Sequence, residues 1–243
     1  MEQLTLALKL PVAGGFESFV ADGNEEIIAA LQRWTTGDGQ RYLFLHGAPG
    51  SGKSHLLQAT CRRSIDLGRT ALYLPLDQDG PAPAMLENLE CRDAVIIDAL
   101  QVIAGDSDWE QALFDLYNRL QDANRQLLVA ARAPPSAVGL GLADLASRLS
   151  AGPAYALRAL DDAGSMRLLE AAAKQRGLRL DPAAVGYILN RCPREAGFLL
   201  SLIDELDRLS LQRRRAPTLR LISEMLAEQQ ARNQRQAVAD KGP

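Results

Sequence analysis

No stretch of this chain is apolar for the roughly 20 residues that a membrane-spanning helix needs. No basic segment leads into a long apolar run at the start: Glu2 stands at the front and Lys9 interrupts the leucines, so an export signal is not expected. Neither charge is in large excess. The 27 Lys and Arg against 30 Asp and Glu leave a net charge of -3. That excludes a wholly basic surface of the kind that grips nucleic acid through many phosphates. Cysteine is scarce, and Cys61, Cys91 and Cys192 lie too far apart for a metal or disulfide spacing. They read as reduced thiols of a cytosolic protein. His46 and His55 offer no metal constellation, and no internal repeat or low-complexity segment is present.

What is there is enough apolar residue, 47% of 243, for one large domain or two smaller ones. The chain opens MEQLTLALKL, with leucines at 4, 6, 8 and 10. A spacing of two fits an extended strand with one apolar face, not a helix. Such a strand either adds to an edge of this protein's own sheet or reads a groove on another protein through alternate side chains. PVAGG separates it from the body.

From Asn24 the pattern becomes regular. Residues 24–34 read as a helix capped by Asn24, with Ile27, Ile28, Leu31 and Trp34 at helical spacing. YLFLHG, TALYLPL, DAVIID, QLLVAA and YALRAL read as strands. SHLLQATCRRSIDLG, ending at a Gly68 cap, WEQALFDLYNRLQDAN and LADLASRLS read as the helices between them. Nearly continuous apolar strands alternating with helices predict an α/β domain with a parallel sheet covered on both faces. After about Leu160 the strands stop. SMRLLEAAAKQRG, DPAAVGYILNR, REAGFLLSLIDELDRLSLQRR and TLRLISEMLAEQQ read as four helices, with Pro182 and Pro193 as start signals. The expected division is a leading segment at 1–10, an α/β nucleotide-binding domain at 11–160, a C-terminal α-helical lid domain at 161–231 and a flexible tail at 232–243.

GAPGSGKS fits the phosphate-binding pattern G-x-x-x-x-G-K-[ST], and it stands after an apolar strand and opens a helix, as that motif requires. Its backbone N–H groups and the helix N-terminus suit phosphate oxygens. Gly47, Ala48, Pro49, Gly50, Ser51, Gly52, Lys53, Ser54 and the following His55 are the candidate nucleotide-binding residues. Lys53 reaches the terminal phosphates, and Ser54 holds Mg2+. The second metal-binding acid should end a later apolar strand, and AVIIDA supplies Asp98. Ala99 stands where a neighbouring acid would orient an attacking water, so binding of nucleotide is expected and rapid hydrolysis is not.

Together, the phosphate loop, the strand ending in Asp98, QLLVAA, an arginine near the domain's end and the helical lid resemble an AAA+ module. FESFVADGN resembles the opening box of the DnaA replication initiators. IDALQVIAGDSDWEQALFDLYNRL and LADLASRL resemble more closely the Hda branch, small DnaA relatives that inactivate the initiator after replication begins. The likeness runs over about residues 3–228.

The resemblance implies further roles. Arg148 matches an arginine finger that reaches a nucleotide in a neighbouring subunit. Arg194 matches a lid arginine that contacts nucleotide bound in the same chain, and Asn24 lies where the family approaches adenine. Arg132 of AARAPP takes the sensor place, with Ala133 where the family has an arginine. QLTLAL resembles the motif that docks on the bacterial sliding clamp, the beta subunit of DNA polymerase III, through Gln3, Leu4, Leu6 and Leu8. The implied cofactors are ADP or ATP with Mg2+. The implied partners are the clamp, DnaA-ATP and, through the clamp, DNA, with a homodimer or homo-oligomer open and no membrane. Regulation of initiation in the cytoplasm is the expectation.

Two other readings stay open. One is a DNA-binding initiator, against which stands the short stretch after the lid, too small for a helix-turn-helix reader. The other is an autonomous ATPase of the helicase-loader or transposition-helper kind, against which stands Ala99. By residue type alone, Arg148 is an ordinary solvated arginine. Arg194, read in a first helical turn, faces the unfavourable end of the helix dipole unless a phosphate offsets it. Arg213–Arg215 read as a solvated helix cap, not a DNA patch.

Overall fold

Alternate residues of the strand YLFLH face opposite ways, and each set is buried. A computed structural model describes residues 14–78, 80–213 and 215–228. In it, Tyr42 and Phe44 enter one core cluster, while Leu43 and Leu45 enter another on the opposite face of the sheet. This strand is β1 (Tyr42–His46). Burial on both sides is what its lack of polar alternation predicts.

The strands β1, β2 (Ala71–Pro75), β3 (Ala94–Asp98), β4 (Gln126–Ala131) and β5 (Ala154–Ala156) form a five-stranded sheet in the order β2-β3-β4-β1-β5. All pairs are parallel. Helices α1 (Glu25–Thr35) and α2 (Lys53–Asp66) supply Ile27, Leu31, Trp34, Leu56 and Leu57 to one cluster. Helices α3 (Ser107–Asp122) and α4 (Ala143–Ser150) supply Leu113, Leu116, Leu145 and Leu149 to the other. Each such fully buried side chain contributes about 1.5–3 kcal/mol through burial.

Local chemistry sets the element ends. At the end of α2, Gly68 has φ +80 and donates to Ile65 O at 2.8 Å, while Arg69 N donates to Ser64 O at 3.0 Å. This paired closure satisfies carbonyls the helix leaves open, and its left-handed residue is best a glycine. Helix α3 starts two residues before the expected Trp109. The Asp106 carboxylate accepts from Asp108 N and Trp109 N, a cap that the apolar pattern does not reveal. In the same way α5 (Asp162–Gln175) starts at Asp162, not Ser165, because Asp161 caps Gly164 N at 2.7 Å.

Asn24 does precede α1, but its side chain makes no cap hydrogen bond. Its Nδ2 donates to Arg158 O at 3.1 Å, and its Oδ1 accepts from Arg158 N at 2.9 Å. This clasp also explains why β5 stops at Ala156 instead of reaching Leu160. The backbone groups of Arg158 are engaged by Asn24 and not by a neighbouring strand.

The contacts divide the chain between Ala159 and Leu160 into two units. The second unit is helical: α5, α6 (Pro182–Arg191), α7 (Ala196–Arg213) and helical residues 219–228. Pro182 is the first residue of α6, and Asp181 caps it at Ala184 N. Leu169, Val185, Ile188, Leu199, Ile203, Leu206 and Ile222 are buried. Arg213 pairs with Glu224 at 3.1 Å and Glu228 at 3.2 Å, so it ties two helices of this unit together. Arg214 and the leading leucine segment lie outside the described residues. No helix among the described residues is long and apolar enough to cross a membrane.

Candidate nucleotide site

The loop Gly47–Gly52 leaves the C-terminal end of β1 and enters α2 at Lys53, so it lies where open parallel sheets bind ligands. Gly52 caps α2 with φ +95 and no side-chain hydrogen bond, which leaves the first-turn N–H groups without a side-chain acceptor. A Cβ at Gly52 would come within 2.7 Å of the Phe19 ring, so both backbone angle and space require glycine there. Lys53 Nζ donates to Gly47 O at 2.8 Å and Ala48 O at 2.9 Å, folding back across the loop. Burial lowers its pKa, the Asp98 charge raises it and the Arg132 charge lowers it. Lys53, Asp98 and Arg132 therefore share one electrostatic neighbourhood, although they come from three separate elements.

Asp98 ends β3 and is only 4% exposed. Its Oδ2 accepts from the Tyr73 hydroxyl at 2.9 Å, and its Oδ1 accepts from Ala99 N at 2.8 Å. Tyr73 Oη also accepts from Gln58 Nε2 at 3.4 Å. Burial first, and then the charge of Asp98, push the Tyr73 pKa well up, so the phenol stays a donor. Ala99 itself sits in the left-handed region at φ +63. At the end of β4, Arg132 N is held by Gln101 Oε1 at 3.1 Å.

The donor set suits a magnesium nucleotide. Ser54 is exposed in the first turn of α2, on the same face of the sheet as Asp98. Hard oxygen ligands from one hydroxyl and one carboxylate, with phosphates completing the set, are what Mg2+ takes. Among the described residues no cluster of three or more His, Cys, Asp or Glu could hold a metal by itself. A metal here would depend on phosphate.

Other expected residues make contacts of their own. His55 Nε2 lies 3.2 Å from Gly15 O and 3.3 Å from Ser18 Oγ, and its ring packs on Phe19. It fastens the segment before α1 to α2. Burial, outweighing its bond to Gly15, lowers its pKa. The Asn24 amide is taken up by Arg158, as described above. Arg148 is exposed near the end of α4 and, among the described residues, meets no carboxylate at ion-pair distance. Its charge is felt by Tyr117, whose pKa is raised by burial and lowered by Arg148.

Arg194 stands two residues before α7 and not in its first turn. It pairs with Asp162 of the same helical unit. Gln3, Leu4, Leu6 and Leu8 fall outside the described residues. Tyr73, Gln58 and Gln101 carried no motif, and only the fold brings them to the site.

Residues 77–156 match the family model of the bacterial DnaA ATPase domain, and residues 162–226 match that of the Hda lid domain. Among solved structures, domain III of the Thermotoga maritima replication initiation protein DnaA superposes with a TM-score of 0.76 at 20% identity, covering 88% of this chain and 95% of that one. DnaA of Aquifex aeolicus, bound to AMPPCP, gives 0.74 at 19% identity, covering 92% and 71%. The RuvB Holliday junction branch migration motor of Thermotoga maritima gives 0.66 at 15% identity, covering 88% and 71%. The fold is that of the AAA+ proteins, with a helical lid after the sheet domain.

Proposed function

Taking as premise a DnaA-related AAA+ chain with an Hda-type lid, we propose that it is a negative regulator of chromosomal replication initiation. It binds ADP with Mg2+, docks on the DNA-loaded sliding clamp through Gln3, Leu4, Leu6 and Leu8, and stimulates hydrolysis of the ATP held by DnaA. It does so in the cytoplasm, at the nucleoid through the clamp.

Lys53 and the loop N–H groups hold the phosphates, while Ser54 and Asp98 hold the metal. Bound Mg2+ neutralises phosphate charge. Arg194 is the lid arginine of this reading. Asn24 sets the wall beside the base by fixing the Arg158 backbone. Arg148 acts on the partner's nucleotide, where a guanidinium supplied in trans stabilises transition-state charge and is worth about 10³–10⁵-fold.

One observation carries this reading above the rest. Arg148 presents an exposed guanidinium on a short helix, with no carboxylate to neutralise it among the described residues. Ala99 supports the division of labour: without an acid there, the water-orienting group must be DnaA's own.

The test is single-turnover hydrolysis of DnaA-ATP with and without clamp loaded on DNA. The expected outcome is clamp-dependent stimulation by the wild-type protein and none by Arg148→Ala. Arg148→Lys should also fail, because an ammonium lacks the planar fork that spans two phosphate oxygens. Full stimulation by both variants would reduce Arg148 to a surface arginine and make Arg132 the next candidate. A second reading, an autonomous ATPase of the helicase-loader or transposition-helper kind, is favoured by the complete phosphate loop and its acid. Rapid ATP turnover by the isolated protein would establish that reading instead.

A further inference from the structure

A buried chain of polar groups runs from the helix that follows the phosphate loop to the acid at the end of β3. In register Tyr73 faces Ile96, which places the phenol on the same face of the sheet as Asp98, two residues further along β3. Its long side chain spans that diagonal and donates to Asp98 Oδ2 at 2.9 Å. Gln58 lies one helical turn after Ser54 and donates to the same phenol at 3.4 Å. All three side chains are buried: Tyr73 is 7% exposed, Gln58 9% and Asp98 4%. A leucine or phenylalanine at either intermediate position would fill the space without a polar group to satisfy, so the pair of polar residues demands an explanation.

We propose that Tyr73 is the positioning residue of the metal-binding acid. With the Ala99 N–H on Oδ1, its hydroxyl on Oδ2 leaves the Asp98 carboxylate a single orientation, the one in which it receives nucleotide-bound Mg2+. Gln58 fixes the direction of the phenol and links it to the helix carrying Lys53 and Ser54. Partners behind a ligating carboxylate set its rotation and basicity, and their removal costs about 10–100-fold in metal affinity. The inference rests on the reading of Gly47–Ser54 and Asp98 as a magnesium-nucleotide site.

The experiment is titration of a fluorescent ADP at a series of Mg2+ concentrations, and in EDTA, for the wild type, Tyr73→Phe, Gln58→Met and Asp98→Asn. Tyr73→Phe should raise the Mg2+ concentration for half-maximal enhancement of binding about tenfold and leave affinity in EDTA unchanged. Gln58→Met should move it the same way by less. A hydroxyl that merely satisfied the core would lower the melting temperature without changing the Mg2+ requirement, and that result overturns the proposal. So does an equal loss of affinity with and without Mg2+. If Tyr73→Phe does not fold, Gln58→Met decides by the same two readings. Asp98→Asn separates the two levels. If it too leaves the Mg2+ requirement unmoved, the site itself is misassigned; if it alone moves it, only the role of Tyr73 fails.

Discussion

Lys53 is half-buried and spends its donors on two loop carbonyls, Gly47 O and Ala48 O. A phosphate would offer charged acceptors in their place, and charge-assisted bonds of that kind are among the strong ones. Lys53→Ala should therefore weaken ADP and ATP binding by about tenfold or more, as read by calorimetry. Unchanged binding would place the nucleotide elsewhere. Ala99 poses the opposite case. A left-handed conformation costs an ordinary residue about 1–2 kcal/mol, and Ala99 adopts it at φ +63. Ala99→Gly should be neutral or stabilising by up to about 1 kcal/mol in urea unfolding, since relief of that strain offsets the added chain freedom. Ala94→Gly at the other end of the same strand, where no positive φ exists to relieve, should destabilise by about 1 kcal/mol. Equal effects at the two positions would deny strain at Ala99.

Between elements, Glu110 joins α3 to the start of α4. Its buried carboxylate accepts from Gly105 N at 2.7 Å, Gly141 N at 3.0 Å and Leu142 N at 2.6 Å. Burial raises its pKa, but the three backbone donors outweigh that and the net shift is downward from 4.5. A carboxyl whose folded-state pKa is depressed stabilises the fold above its unfolded value, and that contribution is lost as pH falls through the folded one. Glu110→Gln turns an NH2 group toward a backbone donor and should cost about 1–3 kcal/mol at neutral pH. The gap between wild type and variant should narrow below pH 4.5, where Glu110 gains its proton. A gap independent of pH would mean that the charge plays no part. Apolar runs made most elements legible from sequence. The exceptions share a cause: Asp106, Asp161 and Asn24 act through side-chain bonds to the backbone that leave no periodic trace. The phosphate loop was legible because its parts are adjacent in sequence. Tyr73, Gln58 and Gln101 were not, because their partners lie 25, 15 and 31 residues away along the chain.

For the molecule as a whole, the proposed activity depends on a leading segment that lies outside the described residues. Replacing Gln3, Leu6 and Leu8 together by Ala should abolish capture by immobilised clamp and clamp-dependent stimulation of DnaA, with ADP affinity and melting temperature held. A lower melting temperature with capture intact would assign the alternating leucines to this protein's own sheet. The sheet order has a consequence for synthesis. Of the described strands YLFLH leaves the ribosome first, yet its partners in the sheet are β4 and β5, and β4 begins about 80 residues later. At about 5–20 residues per second, that interval lasts roughly 4–16 s. Throughout it, both hydrogen-bonding edges of the strand lack their final neighbours. A newly made chain thus carries an adhesive segment through about a third of its translation. Rare codons placed between Gly47 and Gln126 should lower soluble yield, whereas the same codons after Leu160 should not.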